Sequence, residues 1–415
     1  MLNSREKTAR NFDTFGTPWP DLNDGLTYTD TIKPNITGSS LIDFYSSKHS
    51  SSAPLQGWLF RIQNKQITID GGIVTDPETI LRAGSELVYH RLSWKEPDAP
   101  YLLEVLYEDD DLVILNKPSG LQVLPGGLFQ QRTVLTQLQW RSWKRSSSSS
   151  GFSVRVGTQE PHPVPVHRLG RGTSGILLCA KTKIAKVRLA AYFAEGTSVV
   201  GDKGNSNLEL GTARKISKVY RALAKGILDK DEVVIKQPIG MIRYPGVAKG
   251  LYVASPSGKP ALSKVNVCEK DMQNNSTIVE VEIQSGRPHQ IRIHLSSIGH
   301  PLVGTAQIYE FQWDPLYVAG GHPNCSDSES RDDCYEGDGG YQRPTKPVPG
   351  DCGYYLHAHQ LVVYHPTMNE VINVIAPLPF ILQTEEEKSV KQNIDLQKVS
   401  GITDCLWCWS KKKLS

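Results

Sequence analysis

The sequence predicts an α+β fold in which a mixed or antiparallel central sheet is flanked by helices. Two short apolar runs, residues 112–115 and 176–180, have the composition of buried strands. Residues 277–283 alternate Thr and aliphatic side chains with Glu280 and Glu282, a pattern that indicates a half-buried strand. Because these strands do not alternate strictly with helices, they favour an α+β domain over a parallel α/β domain.

The N-terminal part divides into an extension and a compact unit. Residues 1–45 are rich in Asp, Thr, Asn, Gly and Pro with little periodicity, which predicts a loosely ordered extension. Residues 50–96 predict a small folded unit with a helix around Trp58, a strand over 67–69 and a turn at 70–72. Lys95 to Pro100 then form a Pro-containing linker.

The main domain is expected to span residues 101–385. Thr182 is placed to cap a helix that follows the strand at 176–180. Three stretches near 144–160, 197–215 and 318–352 are polar or Gly-rich and predict insertions, and the serine run 146–150 predicts a flexible surface loop. Residues 386–415 form a charged tail.

Composition sets wide limits on function. The 415 residues carry a net charge of +3, with 39% hydrophobic and 21% charged residues, as in ordinary globular proteins. No apolar run approaches the ~20 residues of a membrane span. The first 25 residues contain neither an apolar signal-peptide core nor the acid-poor composition of an organelle transit peptide, so a cytoplasmic or nuclear location is the default expectation. The seven cysteines are scattered, and disulfides are not expected without a secretory signal.

Residues 167–182, HRLGRGTSGILLCAKT, form the most informative segment. A polar turn with two arginines and a histidine opens a buried strand, and guanidinium groups at such a turn suit phosphate oxygens. A second polar cluster lies on the helix predicted at 288–298. There Ile291, Leu295 and Ile298 share one face, whereas His289, Arg292 and Ser296 share another. This spacing predicts that Arg292 points out of the core into a cleft.

The segment 167–182 resembles the signature HRLD-R-x-TSG of the RluA-type family of RNA pseudouridine synthases, with Gly170 where the family has aspartate. Further segments resemble the other family motifs and occur in the family's order: YEDDDLVILNKPSGLQVLPGG (107–127), KVYRALAKG (218–226), SGRPHQIRIHLSSIGHPLVG (285–304) and GYYLHAHQLVVYHP (353–366). The resemblance covers roughly residues 101–380. Residues 50–96 resemble, more faintly, a small RNA-binding module of ribosomal-protein-type domains.

The resemblance implies a partner, a reaction and a set of site residues. The partner would be RNA, whether ribosomal, transfer or another RNA, and a uridine would leave the RNA stack to enter a cleft in the domain. No metal or redox cofactor is implied. The catalytic positions would be Gly170, where the acid is absent, Tyr220, which would pack on the base, and Arg292, which would pair with the aspartate. The expected RNA contacts are Arg168, Arg171, Lys117, Arg287, His289 and Gln290.

Gly170 leaves three hypotheses open, because glycine can neither attack ribose C1′ nor accept a proton. The first is an active synthase that uses another acid, such as Asp202 or one within 327–338. The second is an inactive relative that binds RNA, for instance as a chaperone. The third is a zinc-stabilised interaction protein built on Cys405-x-x-Cys408 and the cysteines upstream. The first is favoured because the rest of the cleft signature is present. In each case we expect either a carboxylate from a distant segment or an open, solvated pocket beside Arg292.

Overall fold

The structure, a computed structural model, describes residues 13–50, 52–148, 159–198, 215–244, 247–304 and 353–390. The strands are β1 (Thr14–Phe15), β2 (Leu26–Thr31), β3 (Ile67–Ile69), β4 (Gly72–Ile73), β5 (Glu86–Arg91), β6 (Leu103–Glu108), β7 (Leu112–Lys117), β8 (Gln159–Pro165), β9 (Ser174–Thr182), β10 (Ile216–Lys225), β11 (Glu232–Ile235), β12 (Ile239–Tyr244), β13 (Val247–Ala254), β14 (Ser263–Asp271), β15 (Ser276–Ile283), β16 (Leu356–Tyr364) and β17 (Val371–Ile375). The helices are α1 (Leu41–Lys48), α2 (Leu55–Gln63), α3 (Val134–Ser148), α4 (Lys183–Ser198) and α5 (Gln290–Ser297). The predicted α+β class is confirmed.

A large mixed sheet forms the main domain. Eleven of the described strands take part, along the path β1-β6-β7-β9-β16-β10-β15-β14-β11, with β8 beside β9 and β17 beside β16. Within the described chain, β9 and β16 are parallel and the other named pairs are antiparallel. The strands predicted at 112–115, 176–180 and 277–283 lie in β7, β9 and β15. Among the described helices, none is both long and apolar enough to cross a membrane.

The N-terminal unit has its own four-stranded sheet, ordered β2-β5-β3-β4, with α1 and α2 packed together. The prediction of a loosely ordered extension is wrong for residues 13–45. Strand β1 joins the main sheet beside β6, β2 pairs with β5, and α1 starts behind Ser40, whose hydroxyl accepts from the Asp43 amide. The physical reason is burial: Ile32 and Leu41 lie in one apolar core with Trp58. The unit therefore begins near residue 26 rather than 50.

The predicted insertions are mostly outside the described residues. Helix α3 reaches Ser148, so the first part of the serine run is helical rather than loop. There the hydroxyls of Ser146 and Ser147 donate to carbonyls one turn earlier, at Ser142 and Trp143, which lets serine continue an exposed helix. The remaining insertion segments, 149–158, 199–214 and 305–352, and the tail from 391 lie outside the part of the chain that the structure describes.

The starts of β9 and β16 lie side by side in the main sheet, level with the middle of β10. Ser174 and Gly175, at the start of β9, pair with His357 and Ala358 of β16, and Ala358 pairs in turn with Tyr220 of β10. Gly175 has a φ of +100°, and a Cβ atom there would lie 2.3 Å from the Ala358 carbonyl oxygen. Only glycine allows β9 to approach β16 so closely. The turn at 167–173, which leads into β9, therefore lies at the start of β9 and β16, close to the level of Tyr220 in β10.

Candidate active site

The turn at 167–173 is held from beneath by Lys117. This side chain is fully buried, and its ammonium group donates to the carbonyls of Pro118, Leu121 and Arg171 at 2.7, 2.8 and 3.1 Å. The hydroxyl of Ser119 also donates to the Gly172 carbonyl, at 2.7 Å. The interpretation of Lys117 as an RNA contact is therefore corrected, because its ammonium group is buried and donates its hydrogen bonds to backbone carbonyls.

His167 ties the same turn to β9. Its Nε2 accepts a hydrogen bond from the Leu178 amide at 3.0 Å, and its ring packs against Phe193. Burial, assisted by the nearby charge of Lys218, lowers the pKa of His167 to about 3. The imidazole is therefore neutral near pH 7, as an acceptor must be, and its role is to fix the turn.

The two arginines of the turn differ in exposure. Arg168 is exposed and can reach a phosphate. Arg171 is only 5% exposed, and its guanidinium carbon lies 5.1 Å from the Phe129 ring centroid. Of the two predicted RNA contacts, the structure thus leaves Arg168 on the surface and places Arg171 in the interior.

The start of α5 is built around Gln290. This buried side chain donates to the Leu262 carbonyl and the Ser263 hydroxyl, both at 2.9 Å, and its amide oxygen accepts from Ser285 and from the Arg287 amide. These bonds use the whole amide group, so the expectation that Gln290 contacts RNA is corrected as well. Arg287 and His289 are partly exposed; the Nε of Arg287 donates to the Pro260 carbonyl, and His289 has a left-handed backbone with φ of 55°.

Arg292 is 4% exposed, and its orientation out of the apolar core into a cleft stays a prediction. All residues of α5 from Gln290 to Ser296 are buried, and β13 and β14 pack against this helix. The guanidinium carbon of Arg292 lies 4.5 Å from the centroid of the Tyr354 ring, and its Nη1 lies 3.5 Å from Nδ1 of His289. The ring of Tyr354 thus lies against the Arg292 guanidinium. The other acids considered for the site, Asp202 and those in 327–338, lie outside the described residues.

Gly170 faces the hydroxyl of the same tyrosine. A Cβ atom built on Gly170 would lie 2.7 Å from Tyr354 Oη and 3.5 Å from Thr173 Oγ1, and these two hydroxyls are 3.0 Å apart. Tyr354 is 3% exposed. No pattern in the sequence distinguishes Tyr354 as a site residue. Its only local signal is its position two residues before β16, and its contacts join parts of the chain that no spacing rule connects.

Tyr220 lies in the same hydrophobic core as Tyr354. It stands opposite Val281 and Ala358 in the sheet and belongs to one apolar cluster with Leu169 and Tyr354. The ring is 7% exposed, and burial raises the pKa of its phenol, so the hydroxyl stays protonated.

A cavity of about 450 Å³ lies on the opposite face of the sheet. Its polar lining includes Glu104, Asn116, Ser174 and His357. His357 stands opposite Arg221 in β10, and Arg221 adjoins Tyr220, so their side chains point to opposite faces. The cavity is therefore separate from the group around Gly170.

Comparison with known proteins gives concordant matches. The family model described as RNA pseudouridylate synthase matches residues 111–297. The chain is 64% identical over 379 residues to RNA pseudouridine synthase 5 of Arabidopsis thaliana, which covers 90% of this chain and 98% of that protein. It is 60% identical to RNA pseudouridine synthase 5 of Oryza sativa subsp. japonica, over 90% of this chain and 92% of that one. Among solved structures, Human RNA Pseudouridylate Synthase Domain Containing 1 matches 70% of this chain and 94% of its own, with 21% identity and a TM-score of 0.42.

Proposed function

The chain belongs to the RNA pseudouridylate synthase family, and we propose that it converts uridine to pseudouridine in RNA at the group of residues around Gly170. The reaction breaks the bond between N1 of uracil and C1′ of ribose, turns the base and joins C5 to C1′. The observation that carries the proposal is the 64% identity to an RNA pseudouridine synthase over 90% of this chain. In the structure, the Arg292 guanidinium lies against the ring of Tyr354, whose hydroxyl faces Gly170.

In this proposal Tyr220 holds the detached uracil, and Arg292 stabilises the negative charge that develops on it. A target uridine has to leave the RNA stack before a protein group can reach C1′. Tyr220 would contact the flat face of the detached uracil, for which a neutral aromatic ring is suited. Arg292 supplies a fixed positive charge next to the reacting atoms, where negative charge develops on the departing uracil. Because Arg292 is 4% exposed, water screens that charge only weakly.

RNA would be bound along the edge of the sheet at which the site lies. Arg168, Arg287 and His289 are the predicted contacts that remain at least partly exposed. Exposed arginines position RNA through its phosphates and do not read its sequence. The choice of RNA, ribosomal, transfer or other, would then depend on shape and on the N-terminal unit, which we propose as a second RNA contact.

The alternative of an inactive RNA-binding relative depends on Gly170 alone, and no further observation favours it. The third hypothesis, a zinc-stabilised protein, rests on Cys325, Cys334, Cys352, Cys405 and Cys408, which lie outside the described residues. A functional assay separates the first two hypotheses directly.

The test uses the full chain and in vitro transcripts of ribosomal and transfer RNA, which contain no pseudouridine. The purified protein is incubated with each transcript, and pseudouridine is mapped by chemical modification and primer extension. We expect pseudouridine at discrete positions in at least one transcript. RNA binding without any pseudouridine in every transcript would favour the inactive alternative. Heat-denatured protein is the control for modification that does not depend on the fold.

A further inference from the structure

A hydroxyl group takes the space next to Gly170. Tyr354 Oη lies 2.7 Å from the Cβ position of residue 170. In an aspartate, the carboxylate oxygens lie about 2.4 Å from Cβ, as follows from standard bond lengths and angles. The phenol oxygen therefore stands at about the distance at which an acid on residue 170 would present its own oxygen.

Two neighbours hold this hydroxyl in place. Thr173 Oγ1 is 3.0 Å from Tyr354 Oη, in a buried contact. The Arg292 guanidinium carbon lies 4.5 Å from the ring centroid, within the range of a cation–π interaction. A cation at this place stabilises negative charge as it develops on the phenol oxygen, because the two charges are close and poorly screened. The Tyr354 hydroxyl is thus buried together with a hydrogen-bond partner, Thr173, and a cation, Arg292.

We propose that the Tyr354 hydroxyl is the catalytic nucleophile of this chain, in the place where the family has an aspartate. The inference rests on the proposed function, since it supplies the group that Gly170 lacks. Oxygen nucleophiles of side chains form covalent intermediates when a neighbouring group activates them. Phenol oxygens serve in this way at the anomeric carbon of the sugar in some enzymes that break glycosidic bonds.

The reaction balances without any further reactant. In the first step the Tyr354 oxygen bonds to C1′, the C1′–N1 bond breaks, and the phenol proton passes to N1 of the departing uracil. The uracil then turns so that C5 faces C1′. In the second step C5 bonds to C1′, the bond from C1′ to the tyrosine oxygen breaks, and the C5 proton returns to that oxygen. The tyrosine is regenerated, and the uracil is now attached to C1′ through C5 instead of N1.

The first experiment compares single-hydroxyl variants. Tyr354→Phe keeps the ring over Arg292 and removes only the oxygen. Tyr355→Phe is the matched control, because Tyr355 is the next residue and its side chain is 40% exposed. We expect Tyr354→Phe to lower the rate of pseudouridine formation by at least roughly a thousandfold, as for loss of a nucleophile, and Tyr355→Phe to retain the wild-type rate. A Tyr354→Phe protein with wild-type activity would overturn the inference and leave the proposed function intact.

The second experiment identifies the nucleophile in the wild-type protein, so it does not depend on how a variant folds. Fluorine at C5 of 5-fluorouridine withdraws electron density from the ring, so the uracil leaves more readily in the first step and its C5 attacks C1′ more slowly in the second. The bond between C1′ and the tyrosine oxygen should therefore accumulate. We expect a protein–RNA adduct that survives denaturation, and peptide mass spectrometry should place the ribose on Tyr354. An adduct on another residue would refute the inference. Absence of product with ordinary transcripts would instead refute the proposed function.

Discussion

The hydroxyl of Tyr354 lies 2.7 Å from the point where a Cβ atom on residue 170 would stand. Real Cβ atoms essentially never come so close to another heavy atom, so any side chain at 170 requires Tyr354 to move. The tyrosine is buried between Thr173 and the Arg292 guanidinium, and movement is therefore costly. Gly170 and Tyr354 are thus a matched pair, and their coupling can be measured.

The first prediction concerns the stability of Gly170→Ala. The added methyl group meets the Tyr354 hydroxyl, and overpacking of this kind costs ~1–3 kcal/mol of unfolding free energy. In a Tyr354→Phe background the hydroxyl is gone, so the same methyl group should cost less. Urea unfolding of the four proteins gives the coupling free energy, for which we expect ~0.5–3 kcal/mol. Costs that simply add would mean that the two residues do not share this space.

The second prediction separates scaffold from RNA contact at Lys117. Replacing it with Met leaves three buried carbonyls without the ammonium donor. An unsatisfied buried polar group costs ~1–3 kcal/mol, so Lys117→Met should lower the unfolding free energy by at least that much. RNA binding by the fraction that remains folded should keep its dependence on salt, because no phosphate contact is lost. A shallower salt dependence with unchanged stability would restore the RNA-contact interpretation.

The third prediction concerns Arg168, the exposed arginine of the turn. Arg168→Ala should weaken binding of every transcript and reduce the slope of log affinity against log salt by about 0.7–0.9, the effect of one phosphate contact. Lys270→Ala is the control. Lys270 pairs with Asp231 near the hairpin between β14 and β15, at the opposite end of β15 from α5. Equal slopes for Arg168→Ala and the wild type would exclude a phosphate contact there.

These residues also mark how far the sequence could be interpreted without coordinates. The strands at 112–115 and 176–180 were predictable, because apolar runs report burial locally. The burial of Lys117 was not, since its three carbonyl partners depend on two loops meeting. The contact between Thr173 and Tyr354 joins residues 181 positions apart, and only the pairing of β9 with β16 brings them together. Patterns along the chain thus predict the elements, whereas the site is set by contacts between them.

The same limit applies to the surroundings of Arg292. The helical spacing correctly separates Arg292 from the apolar face of Ile291 and Leu295, but it cannot say what covers the other face. In the structure an aromatic ring lies there, so the helix is buried on both sides.

The fourth prediction concerns pH and the neutral histidine His357. Burial, followed by the neighbouring His359, lowers the pKa of His357 to about 4, against the opposing effect of the Ala376 carbonyl. In the unfolded chain the imidazole takes up a proton near pH 6.5. Between about pH 6.5 and 4 the unfolded state therefore binds more protons, and the unfolding free energy falls as pH falls. We expect His357→Asn to make this decline shallower by up to ~1.4 kcal/mol per pH unit.

Ser174→Ala is the matched control for that measurement. It removes the 2.9 Å hydrogen bond between Ser174 Oγ and His357 Nδ1 but retains the titrating ring. Urea unfolding at pH 7, 6 and 5 should therefore show a decline close to the wild type for Ser174→Ala and a shallower one for His357→Asn. This pH range lies above the one in which Glu108 takes up a proton in the folded state. Burial raises the pKa of Glu108, but Arg145 and Arg141 outweigh that effect and lower it to about 2. Identical declines in all three proteins would mean that His357 takes up its proton equally in the folded and unfolded states.

The last prediction concerns an acid placed at position 170. From the motif alone, Gly170→Asp should restore activity or change it little. The structure predicts the opposite for the single variant, because its Cβ meets the Tyr354 hydroxyl and displaces the group that we propose as nucleophile. We expect less product than the wild type forms and a lower unfolding free energy. Combining Gly170→Asp with Tyr354→Phe removes the clash and supplies a carboxylate near the Arg292 cation. The double variant should form pseudouridine at least about tenfold faster than Tyr354→Phe alone, a gain equivalent to ~1.4 kcal/mol of transition-state stabilisation. Pseudouridine mapping on one transcript compares all four proteins. A Gly170→Asp protein that forms pseudouridine faster than the wild type would contradict this prediction. So would a folded double variant that forms it no faster than Tyr354→Phe, because an acid at 170 would then not replace the Tyr354 hydroxyl.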